Sequence, residues 1–127
     1  MSPQDRQSVV DALFWLQEQD RILLHAFVVM PDHFHALMSV RPDQVLHRVV
    51  HSLKSFTANT INRMRGTDGA LWQEGYRDDS RQREKAWFAL AAYVEQNPVR
   101  AGLASAPWDY TWSSANDRYR SLLDPLI

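Results

Sequence analysis

A chain of 127 residues is most economically one domain, residues 1–127, with room for a single core. Its 45% apolar and 23% charged content excludes general disorder, and the lack of cysteine excludes disulfides and thiolate metal sites, which suits a reducing cytoplasm. Fourteen basic against fifteen acidic residues give a net charge of −1, no global signature of a nucleic-acid partner, and apolar runs such as 86–94 fall far short of the roughly 20 residues a membrane span needs.

The N-terminus is polar and acid-containing, unlike a secretory signal. Ser2-Pro3 reads as an N-cap followed by proline at the first helical position. Val9, Val10, Leu13, Phe14 and Leu16 then recur at helical spacing, which predicts a helix over 3–19. Residues 22–30 are apolar and β-branched, Pro31-Asp32 is turn chemistry, and 33–40 resumes an extended pattern, so a hairpin or a strand broken at a tight turn follows. Asp43 is placed to cap a second helix with Leu46, Val49, Val50, Leu53, Phe56, Ile61 and Met64 on one stripe and Arg48, Lys54, Asn59 and Arg63 opposite. Glycines at 66–69 stop it, because glycine admits the left-handed backbone of helix ends. Residues 71–77 are short and aromatic, a further strand. A third helix is expected over 82–96, with Trp87, Leu90, Ala91 and Val94 inward and Pro98 ending it. Trp108, Tyr110, Trp112 and Tyr119 in the tail are expected to pack against the core.

Two features carry chemistry. His33 and His35 are two apart in an extended segment, so both project from one strand face. They can grip one ion, or one can hydrogen-bond within the hairpin while the other meets water; two imidazoles alone leave a metal short of ligands. Tyr93 and Asn97 are four apart and share a helical face. Asn97 offers a carbonyl oxygen, with Gln96 as the rival donor, and Tyr93 offers a phenol that serves either packing or attack. From 41 to 65 there are five basic residues against one acid, a local excess that a solvated helix face would also show. Lys54, Arg63, Arg65 and Arg100 are each either a phosphate contact, which needs only a placed cation, or a solvated surface charge. Trp72 and Tyr76 either stack on unpaired bases or fill the core.

The segments AFVVMPDHFHAL (26–37), LK (53–54), LWQEGY (71–76), YVEQNPVRAGL (93–103) and WSS (112–114), in that order, resemble the REP-associated tyrosine transposases of the single-tyrosine HUH superfamily of insertion-sequence transposases. The resemblance covers nearly the whole chain and implies an α+β fold: a ferredoxin-like (RRM-like) antiparallel sheet with helices on one face and an extra C-terminal helix and tail, from which this chain departs in that the first strand is missing. That strand would sit beside the histidine strand, and its absence exposes hydrogen-bonding edges, so either the start is truncated, or a partner chain fills the gap, as in a strand-swapped homodimer, or the sheet is rearranged. The resemblance further implies that His33, His35 and Asn97 hold a divalent metal, Mg²⁺ or Mn²⁺, and that Tyr93 is the nucleophile. The expected activity is metal-dependent cleavage and strand transfer on single-stranded, hairpin-flanked DNA through a 5′-phosphotyrosine. The alternatives are a catalytically inactive DNA- or RNA-binding module on the same scaffold, and a small zinc hydrolase, which gives Tyr93 and Asn97 no role. The segment GYRDDSR (75–81) departs from the family in being shorter and more acidic, and Asp78 and Asp79 would repel a DNA backbone that they faced.

Overall fold

The computed structural model describes residues 1–66 and 84–126, with side chains in the third helix described from 87 onward. The strand expected over 71–77, Trp72, Tyr76 and the segment 75–81 lie outside the described residues. The elements run α1 (Pro3–Glu18), β1 (Ile22–Val29), β2 (Phe34–Val40), α2 (Leu46–Arg65), α3 (Glu84–Arg100), a 3-10 turn (Pro107–Asp109) and a short α4 (Asp117–Arg120).

Helix α1 begins as its sequence dictates. The Ser2 hydroxyl accepts from the Asp5 N–H, and the Asp5 carboxylate accepts in return from the Ser2 N–H, a reciprocal box that satisfies two orphan donors. Helix α2 starts differently from expectation: its N-cap is Val45, with no side-chain hydrogen bond, and Asp43 stays outside. The reason lies in Gln44, whose side chain is held by Arg21, while the Gln44 N–H donates to the Arg41 carbonyl in a preceding turn. The α2 stripe is narrower too: Val49, Leu53, Thr57 and Ile61 are buried, whereas Phe56 and Met64 are 40% and 51% exposed. Gly66 ends the helix at φ 67°, in the left-handed region that favours glycine.

Strands β1 and β2 form an antiparallel pair, with Val28 opposite His35 and Ala26 opposite Leu37. The register slips by one between Leu24 and Ala26, a bulge at His25. His25 is tied at both ring nitrogens, to the Ser39 hydroxyl at 2.8 Å and the Asp124 carbonyl at 3.0 Å. One sheet face packs Ile22, Leu24, Phe27 and Val29 against Val9, Leu13 and Leu16 of α1 and Val49 and Leu53 of α2. Each such fully buried large side chain contributes about 1.5–3 kcal/mol. The opposite face sets Ala26, Val28 and Leu37 against Ala91 and Val94 of α3. The expected pair of helices therefore covers one face, and the extra helix lies across the sheet from them.

Among the described residues the sheet has two strands. The outer edge of β1 is covered by the C-terminal segment: the Val29 N–H donates to the Trp112 carbonyl, the Ser114 N–H to the Phe27 carbonyl, and the Asp124 N–H to the Leu24 carbonyl. Tyr110 and Tyr119 are buried and Trp112 half-buried, as expected of the tail, whereas Trp108 is exposed. Among the described residues no helix is long and apolar enough to cross a membrane.

Candidate active site

The hairpin places the histidines. Pro31 and Asp32 make the turn, closed by the Met30 N–H on the His33 carbonyl at 2.8 Å, and β2 begins at once. His33 and His35 point to the α3 side of the sheet, their ring centroids 5.0 Å apart and nearly perpendicular.

Each ring is prepared differently. His33 Nδ1 lies 2.6 Å from an Asp32 carboxylate oxygen. A carboxylate only accepts, so Nδ1 carries the proton and the Nε2 lone pair is left outward. This carboxylate–imidazole pairing is the arrangement that orients metal-binding histidines. The same hydrogen bond holds Asp32 below the usual carboxylate range. Among the described residues His35 has no such carboxylate partner; burial first, then His33 and the Arg100 guanidinium, push its imidazole below the ordinary value. A neutral imidazole is the form that donates a lone pair.

Helix α3 supplies the other two groups. It runs through Pro98 to Arg100, past the end expected at Gln96. Proline has no N–H for the Val94 carbonyl one turn back, and that lost bond normally ends or kinks a helix. Here the Asn97 amide replaces it, with Nδ2 donating to the Val94 carbonyl at 3.2 Å and to the Tyr93 carbonyl at 3.1 Å. Both acceptors are carbonyls, so the amide nitrogen must face the backbone and Oδ1 faces away from it. Tyr93 is 56% exposed, its ring under the Arg100 guanidinium at 4.2 Å.

The structure thus brings His33, His35, Tyr93, Asn97 and Arg100 to one side of the sheet. Lys54, Arg63 and Arg65 are on α2, across the sheet from the histidines. Arg65 is paired with the buried carboxylate of Asp5. Asp32, read from sequence only as turn chemistry, is the residue that sequence reasoning missed. Its signal was present: an acid immediately before the first histidine.

The donor set suits a divalent ion of intermediate hardness, two imidazole nitrogens with one amide oxygen. Among the described residues no group of three or more His, Cys, Asp or Glu side chains forms a metal cluster, so an ion here depends on the amide.

Comparison with known proteins gives concordant results. No curated protein matches the chain. A solved structure described as a REP-associated tyrosine transposase bound to a REP hairpin is similar, with a TM-score of 0.76 over 98% of this chain and 73% of that one, at 18% identity. At that identity the likeness speaks for the fold. A family model described as "Transposase IS200 like" matches residues 2–97. The chain belongs to the IS200-like transposase family, and is an enzyme that cleaves and rejoins DNA.

Proposed function

We propose that the protein is a metal-dependent endonuclease and strand transferase for single-stranded, hairpin-flanked DNA, with Tyr93 as nucleophile and His33, His35 and Asn97 as metal ligands. One observation carries this reading: the Asn97 amide nitrogen is committed to the Val94 and Tyr93 carbonyls, which leaves its oxygen as a donor on the histidine side of the sheet. A structural asparagine needs only the first half of that arrangement. The solved relative's hairpin supports the choice of substrate.

A divalent ion, Mg²⁺ or Mn²⁺, supplies charge neutralisation at a non-bridging phosphate oxygen when bound. The protein's own residues do the rest. Asp32 holds the His33 ring in one tautomer, and burial keeps His35 neutral. The Tyr93 phenolic oxygen attacks phosphorus and loses its proton. A phosphorus–tyrosine bond forms as the phosphorus–3′-oxygen bond breaks, and the departing oxygen takes up a proton as a free 3′-hydroxyl. The 5′-phosphotyrosine retains the bond energy, so rejoining requires no nucleotide triphosphate. Lys54, Arg63 and Arg65 would meet phosphates of DNA that wraps past the sheet edge to α2. A second copy pairing along the histidine strand belongs to the same reading, and sedimentation velocity at micromolar concentration checks it.

The test is a denaturing gel of protein mixed with labelled hairpin-flanked single-stranded DNA and Mn²⁺ or Mg²⁺. A slow-migrating, metal-dependent covalent adduct that disappears in Tyr93→Phe is expected. Folded protein that binds the DNA without forming an adduct would favour the inactive binding module.

A further inference from the structure

Arg100 lies seven residues beyond Tyr93, roughly 10 Å along the helix axis. Its side chain nevertheless runs back to that one residue twice: Nη2 donates to the Tyr93 carbonyl at 2.9 Å, and Cζ sits 4.2 Å from the centre of the Tyr93 ring. One planar guanidinium therefore grips both the backbone and the ring face of the same tyrosine. An exposed tyrosine on a helix would otherwise sample its rotamers freely. We propose that Arg100 is a positioning residue, a clamp that presents the Tyr93 phenol in one orientation before DNA arrives.

This rests on Tyr93 being the nucleophile, and it differs from the phosphate contact expected of Arg100 from sequence. A phosphate contact needs a charge facing solvent, which lysine also provides. The clamp needs a flat group that stacks on a ring while donating sideways, which lysine cannot do. The local arrangement favours it, because the side chains of Asn97 and Arg100, on either side of Pro98, converge on the Tyr93 carbonyl. Orientation of a reacting group is worth large factors in rate, and a displacement of about 1 Å can cost on the order of 10²-fold.

The experiment combines single-turnover adduct formation at saturating hairpin DNA, DNA affinity at several salt concentrations, and ¹⁹F spectra of protein carrying 3-fluorotyrosine. The chain has four tyrosines, so the Tyr93 line is identified by its loss in Tyr93→Phe. Arg100→Ala and Arg100→Lys are each expected to slow adduct formation about 10²-fold, with affinity within twofold of the parent and an unchanged salt slope. In both variants the Tyr93 line alone moves and narrows, while the other three stay in place and report an intact fold. A parental rate at saturation with a shallower salt slope, restored by Arg100→Lys, would overturn the clamp in favour of a phosphate contact. An unmoved Tyr93 line would overturn it as well. An adduct that survives Tyr93→Phe overturns the nucleophile and the catalytic purpose of the clamp together, and the ¹⁹F line separates that outcome from failure of the clamp itself.

Discussion

The Asn97 side-chain amide donates to the Val94 carbonyl, the acceptor left without a backbone partner because Pro98 lacks an N–H. The asparagine is thus helix repair on one side and oxygen donor on the other. Asn97→Ala should cost about 1 kcal/mol in a thermal melt and lower both Mn²⁺ affinity and adduct formation by at least tenfold. Adding Pro98→Ala restores an N–H to the Val94 carbonyl, so the double variant should regain the stability and none of the metal affinity. Recovery of both would show that Asn97 is structural only.

Asp32 fixes the His33 tautomer through its 2.6 Å hydrogen bond. Removing such an orienting partner typically costs 10–100-fold in metal affinity. Asp32→Ala is expected to fall in that range by Mn²⁺ titration, with Asp32→Asn nearer the parent because its amide oxygen still accepts. Both carboxamide and alanine variants should melt within about 0.5 kcal/mol of the parent, since the turn is exposed.

The Asp5 carboxyl is 2% exposed, and burial acts to raise its pKa. The Ser2 N–H and hydroxyl and the Arg65 guanidinium outweigh that and hold it below the ordinary carboxylate value. A carboxylate depressed on folding adds stability that is full above its unfolded value of about 3.9 and is lost as pH falls through the lower folded value. Acid melts should therefore show a steep loss below about pH 4. Asp5→Asn should flatten that limb while costing about 1–3 kcal/mol at pH 7, where Arg65 loses its partner.

Lys54 and Arg63 sit across the sheet from Tyr93. If DNA reaches them, each alanine variant lowers affinity about equally for all sequences and reduces the salt slope by about one, leaving the single-turnover rate at saturation unchanged. An unchanged salt slope would restrict the DNA path to the α3 side.

The sequence by itself determined what lies within one element. Extended backbone put His33, immediately before β2, next to His35 within it, and a helical repeat of 3.6 put Tyr93 and Asn97 together, whatever surrounded them. Ser2, Asp5 and Pro3 wrote the start of α1 for the same local reason. Relations between elements were decided by tertiary structure. Phe56 and Met64 continue the apolar spacing of α2, but only Val49, Leu53, Thr57 and Ile61 are buried; Phe56 stacks its ring on Trp15 of α1 and stays 40% exposed, and Met64 is 51% exposed. Pro98 read as a stop until the folded helix let the neighbouring side chain replace the missing donor. Arg65 finds Asp5 sixty residues away, and Arg100 folds back on Tyr93. Above all, α3 packs on the histidine face and α2 on the other because each apolar stripe must bury against a sheet face, and only the folded chain chooses which one.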